Sequence, residues 1–76
     1  MERGLMDERQ LKFIYSVVEC KGVRKAAETL DVDPSAVSRT IAAVERSLGM
    51  TLFQRHGRSM EPTEAAMLLH DYYREN

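Results

Sequence analysis

Residues 26–49 read AAETLDVDPSAVSRTIAAVERSLG. Two helix-forming stretches meet here across Leu30-Asp31-Val32-Asp33, a segment too short to be more than a turn. Asp33 is suited to cap the second helix through its carboxylate, and Pro34 fits the first helical position, where no amide donor is missed. Val37, Ile41, Val44 and Leu48 then follow at helical spacing and form one apolar stripe. Gly49 offers the left-handed residue that ends such a helix. Ser35, Arg39, Ala42 and Arg46 fall on the opposite side, and Ser38-Arg39 stands off the stripe. Two helices that merely fill a core need neither so tight a turn nor this second face. A helix meant to enter something does.

Upstream, Leu11, Ile14, Val17 and Val18 share one stripe and predict a first helix from about Asp7 to Cys20. Asp7 and Glu8 suit its positive end, and Lys21-Gly22 its stop. Val23–Leu30 makes a short second helix, in which Ala26-Ala27 lets a neighbouring helix approach closely. Downstream, Met50-Thr51-Leu52-Phe53 leans toward strand, Gln54-Arg55-His56-Gly57-Arg58 reads as a turn, and Ser59-Met60-Glu61 as a short return. This is a small hairpin with a basic tip, on which His56 is a neutral turn residue. Thr63 is placed to cap a last helix beginning at Glu64. The order predicts a mainly α fold, a winged helix-turn-helix: three helices, a β-hairpin wing at about 52–61, and a C-terminal helix. Residues 1–62 form the domain, and 63–76 begin that last helix.

Composition sets the outer bounds. Seventy-six residues support one domain, and 43% hydrophobic with 30% charged residues is ordinary for a globular chain. No apolar run approaches the roughly 18 residues of a membrane span, and no signal peptide is legible. Cys20 is the only cysteine, so no internal disulfide can form. It reads as a small core residue, in keeping with a reducing cytoplasm. Cys20, His56 and His70 lack metal-ligand spacing, no catalytic constellation is present, and neither metal nor cofactor is expected. The net charge of −1 is unevenly spread. Residues 20–58 carry +3, against −1 before and −3 after. The positive charge thus surrounds the 26–49 stretch.

A duplex major groove admits a helix, and residues near that helix's N-terminus reach base edges. The helix at about 34–48, with its small and basic outer face, fits this role. Arg39 and, with it, Ser35 and Ser38 are the candidate DNA contacts on the helix. Arg55 and Arg58 are the candidates on the wing, although Arg55 could instead pair with an acidic side chain of the domain.

The chain also resembles the N-terminal DNA-binding domain of LysR-type transcriptional regulators over about Glu8 to Tyr73. The likeness rests on Leu11, Ala26-Ala27-Glu28, Leu30, Ser35-Ala36-Val37-Ser38-Arg39, Ile41, Glu45, Leu48-Gly49, Leu52-Phe53, Arg55, Gly57-Arg58 and Thr63-Glu64-Ala65. It implies double-stranded operator DNA as partner, with Pro34, Ser35, Ser38 and Arg39 at positions that touch bases or phosphates. It places Arg58 toward the minor groove. Arg24 stands where the family often has a hydroxyl residue, so a phosphate contact there changes character. The resemblance further implies a bacterial, cytoplasmic regulator whose small-molecule effector acts through a downstream domain.

In the last helix, Ala65, Ala66, Leu68, Leu69, Tyr72 and Tyr73 span about 160° of arc, and Met67 lies beyond. A stripe of about 100° is enough to lie on one domain. The excess favours a second helix from another subunit. The resemblance implies a homodimer through this helix, with Ala65, Leu68, Leu69, Tyr72 and Tyr73 at the interface. Two other readings stay open: another winged-helix regulator family, and a protein-docking winged helix without nucleic acid.

Overall fold

The computed structural model describes residues 7–57 and 59–75. Four helices and one hairpin follow in the order α1 (Glu8–Cys20), α2 (Val23–Leu30), α3 (Pro34–Leu48), β1 (Phe53–His56), β2 (Ser59–Pro62) and α4 (Glu64–Glu75). This is the winged helix-turn-helix expected from the sequence.

The helix limits follow from local chemistry. Asp7 caps α1 in a reciprocal box: the Gln10 amide donates to its carboxylate at 2.9 Å, and its own amide donates to the Gln10 side chain at 3.2 Å. The helix closes on Lys21 and α2 closes on Asp31, both in the left-handed region, with φ of 62° and 61°. Gly49 ends α3 at φ 70°, the conformation in which glycine meets no Cβ penalty.

Asp33 departs from expectation. It sits at the N-cap of α3, but its side chain makes no capping bond. Its backbone carbonyl instead accepts from the Ala36 amide at 3.0 Å and from Val37 at 3.3 Å, so the donor a carboxylate would have taken is already satisfied.

Ile14 and Val17 of α1, Ala26 and Ala27 of α2, and Val37, Ile41 and Val44 of α3 meet in one core, closed by Phe13, Leu52, Phe53 and Ala66. The two alanines allow α2 to lie close to its neighbours. Leu48 breaks the expected stripe. It is 38% exposed, because it is the last helical residue and the chain turns away at Gly49 before anything covers it. Cys20 is half-buried against the core, 3.8 Å from the Thr29 hydroxyl.

The contrast between the two faces of α3 is testable. Val44 is 1% exposed, whereas Ser38 faces solvent. Val44→Ala is expected to cost about 1–3 kcal/mol, and Ser38→Ala to stay within about 0.5 kcal/mol. Urea denaturation of both variants measures this directly. Comparable destabilisation by the two would mean that Ser38 supports the fold.

The hairpin begins later than the sequence implied. Gln54, Arg55 and His56 belong to strand β1 rather than to a turn, and pair antiparallel with Glu61, Met60 and Ser59. Strand β1 thus runs to His56, paired with Ser59, and is followed by Gly57 at φ 63°, where any other residue would be strained. Leu52 causes the shift. It is fully buried and anchors the chain below the hairpin, so pairing starts only at Phe53, opposite Pro62.

Thr63 caps α4 as expected, its hydroxyl accepting from the Ala66 amide at 3.4 Å. The helix packs mainly along α1. Its most buried polar group is His70, 4% exposed, which the apolar pattern of the helix did not single out. The ring stacks on Tyr15 with centroids 4.7 Å apart, and Tyr73 tilts onto the same tyrosine at 5.1 Å. Nε2 lies 2.6 Å from the Glu19 carboxylate and Nδ1 3.1 Å from that of Asp71.

The hydrogen bond to Glu19 raises the His70 pKa above its ordinary 6.5; burial opposes this, and Asp71 adds to the rise. A raised folded-state value favours the folded state fully below the unfolded pKa and loses that contribution as pH climbs through the folded pKa. Stability is therefore expected to decline above about pH 6.5, with the decline suppressed in Glu19→Gln. Denaturation midpoints between pH 6 and 9 give the comparison. Parallel profiles for the two proteins would contradict the assignment.

Candidate nucleic-acid interface

Lys21, Arg24, Lys25 and Arg55 come together on one face of the molecule. The turn between α1 and α2, the first turn of α2, the first turns of α3 and the outer edge of β1 border an open groove of about 620 Å³. Its lining includes Lys21, Arg24, Lys25, Pro34, Ser38 and Arg55, without any acidic residue. Four of the residues singled out in the sequence, Arg24, Pro34, Ser38 and Arg55, thus meet in one concavity. Ser35 and Arg39 lie outside it, on the exposed face of α3. Arg58 lies outside the described residues.

Local folding sets each position. Placing Arg55 in β1 fixes its direction, because its strand partner Met60 lines the same groove. Among the described residues, no carboxylate lies within ion-pair distance of Arg24, Arg39 or Arg55. The alternative of an internal partner for Arg55 is not realised there. At the start of α2, Gly22 can offer no side-chain cap. A helix end of this kind presents backbone donors and a partial positive charge to an anion.

Lys21 and Lys25 were not picked out by the sequence, although they add half of the groove's cationic side chains. Lys21 reaches it because it closes α1 in a left-handed conformation, and Lys25 because it follows Arg24 around the first turn of α2. A basic cluster spanning Lys21 to Lys25 was the only available signal. His56 is the last residue of β1, not a turn residue, and sits 3.8 Å from Glu61 with both side chains mostly exposed. No group of three or more metal-ligating side chains occurs among the described residues.

On the α4 side, the five residues proposed for dimerisation divide. Ala65 and Leu69 are half-buried and pack against the core, and Tyr73 is half-buried against Tyr15. Leu68 is 67% exposed and Tyr72 is also exposed, with Met67 beside them.

Known proteins are similar to this chain in sequence and in fold. The family of bacterial regulatory helix-turn-helix proteins of the lysR type matches residues 8–67. The transcriptional regulator TfdT of Cupriavidus pinatubonensis is 36% identical over 70 residues, which is 92% of this chain and 31% of that protein. AceR of Acinetobacter baumannii is 39% identical over 66 residues, 87% of this chain and 22% of the relative. The chain thus spans about a third or less of these curated relatives. Among solved structures, the complex of the CbnR DNA-binding domain with DNA superposes with a TM-score of 0.84 at 33% identity, covering 92% of this chain and 80% of that one. The BenM DNA-binding domain bound to catB site 1 DNA gives 0.85 at 30% identity, covering 92% and 79%. By sequence and by fold, the chain belongs to the lysR family of bacterial regulatory helix-turn-helix proteins.

Proposed function

We propose that the chain binds double-stranded DNA sequence-specifically, as the DNA-binding domain of a bacterial transcription regulator working in the cytoplasm on the nucleoid. The acid-free groove joining α2, α3 and β1 carries this reading, because it sits beside the exposed polar face of α3. Helix α3 enters the major groove, where Ser35, Ser38 and Arg39 meet base edges or flanking phosphates. Arg24, Lys21 and Lys25 hold the backbone, and the wing, with Arg55 and Arg58, lies along the adjacent minor groove. The solved complexes of CbnR and BenM domains with DNA support the assignment.

The chain acts as a homodimer through α4, with 1–62 as the reading unit and 63–76 as the start of the dimerisation helix. Effector control, as in longer regulators, comes through another domain. No reaction is assigned.

Selection of duplexes from a random library, followed by anisotropy titration at 50 and 200 mM salt, tests this reading. Enrichment of one motif with binding that weakens by about 10-fold or more at the higher salt is expected. The absence of any enriched sequence would return the domain to a protein-docking role.

A further inference from the structure

The wing is not simply the next element after α3; both of its ends are tied at the two peptide groups that flank the buried Leu52. The Glu45 carboxylate, seven residues back on α3, accepts from the Leu52 amide at 2.7 Å and from the Phe53 amide at 3.3 Å. On the other side, the Thr63 amide donates to the Leu52 carbonyl at 2.8 Å. The Thr63 hydroxyl donates to the Thr51 carbonyl at 2.7 Å, with the Leu52 carbonyl at 3.1 Å. Leu52 itself is fully buried, and Phe53 nearly so. Its peptide groups are thus gripped by the helix proposed to read DNA and by the cap of the helix proposed to dimerise.

From this knot we infer that Glu45 is a positioning residue: it fixes the angle of the wing to α3, and Thr63 extends the same constraint to α4. The inference rests on the DNA-binding reading for its consequence, but not for its geometry. Arg55 lies two residues beyond the Phe53 amide on a short strand, so a small rotation at the anchor displaces its guanidinium from the groove it shares with Ser38. The carboxylate is charge-matched to two backbone donors, which makes the bonds strong and directional. A carboxylate beside a DNA-facing helix is otherwise unfavourable electrostatically. Its two bonds to the wing's backbone amides offset that cost.

The test separates reach from charge. Glu45→Asp keeps the charge but shortens the side chain by one methylene. Glu45→Gln removes the charge but keeps an acceptor oxygen at the same distance. Neither creates a large cavity, so both are expected to fold; circular dichroism checks this. Residual dipolar couplings of the free domain then report the orientation of residues 53–56 and 59–62 against α1–α3. Glu45→Asp is expected to rotate the wing or release it from the common alignment frame, and Glu45→Gln to retain the parental orientation.

Binding to the library-selected duplex supplies the second readout. Glu45→Asp should lose about 10-fold in affinity, and Arg55→Ala should then add less than about twofold. Glu45→Gln should bind at least as well as the parent and stay fully sensitive to Arg55→Ala. An unmoved wing in Glu45→Asp, or equal loss of affinity in both variants, overturns the inference. If the parent itself binds no duplex, the DNA reading has failed, whereas the dipolar couplings still decide whether Glu45 sets the wing.

Discussion

Leu68→Glu is expected to leave the domain folded and lower its affinity for a duplex with two half-sites by about 10²–10⁴-fold. The reasoning starts from exposure. Leu68 is two-thirds accessible, beside Met67 and one turn from Tyr72, so α4 presents large apolar side chains to solvent on the face turned away from α1. A charge there costs the monomer little, because the position is not packed. In the symmetric dimer proposed through α4, the same substitution puts one new charge from each subunit into the interface. The domain then binds one half-site at a time and loses the effective concentration that linked modules enjoy. Leu69→Glu provides the contrast: this neighbour packs on the core, and its replacement should cost the fold itself about 2–5 kcal/mol. Sedimentation velocity, thermal melting and titration of one-site and two-site duplexes separate these effects. A Leu68→Glu protein with unchanged affinity for the two-site duplex would remove α4 as the dimer interface.

The difference between those adjacent leucines marks the limit of what periodicity conveys. The stripe of α4 was readable as wider than one domain needs, but not which half of it the domain claims. That depends on where α1 lies, and the deciding contact is polar. His70 enters the packed side because Tyr15 offers a face to stack on and Glu19 a carboxylate, both on α1 and more than fifty positions earlier in the chain. No local pattern announces such a pairing.

The helices of the first half were legible almost to the residue. Their signals are local: apolar spacing, Asp7 and Glu8 at the start of α1, Pro34 at the first turn of α3, and Gly49 at its end. The capping role of Asp33 failed for a reason equally local, since the backbone had a satisfactory arrangement of its own. The hairpin was recognisable but its first strand starts later than expected, because that start is set by the buried Leu52 and the bond its amide donates to Glu45 rather than by strand propensity. In the candidate site, the sequence supplied the arginines and serines. Only folding brought Lys21 and Lys25 to the same groove from the other side of a helical turn.

That groove allows a second large effect to be divided between reading and holding. Arg39 projects from the exposed face of α3, one turn beyond Ser35, with no carboxylate among the described residues to hold it back. A guanidinium at that depth can fork onto the O6 and N7 of guanine. Losing such a contact costs roughly 1–3 kcal/mol and relaxes preference at one base pair per half-site. Arg55 stands among Lys21, Arg24 and Lys25, in a cluster with the character of a phosphate clamp rather than a base reader. Removing one such charge weakens all sequences alike and lowers the salt slope by about one per subunit. Arg39→Ala is therefore expected to alter the selected motif at a single position per half-site. Arg55→Ala should preserve the motif while flattening the salt dependence. Library selection with each variant, combined with titrations from 50 to 200 mM salt, measures both properties on the same molecules. If Arg55→Ala changed the motif and Arg39→Ala only the salt slope, the wing would be the reading element and α3 the anchor, the reverse of the geometry proposed. If neither variant differed from the parent, the polar face of α3 and the basic groove would both lie away from the nucleic acid.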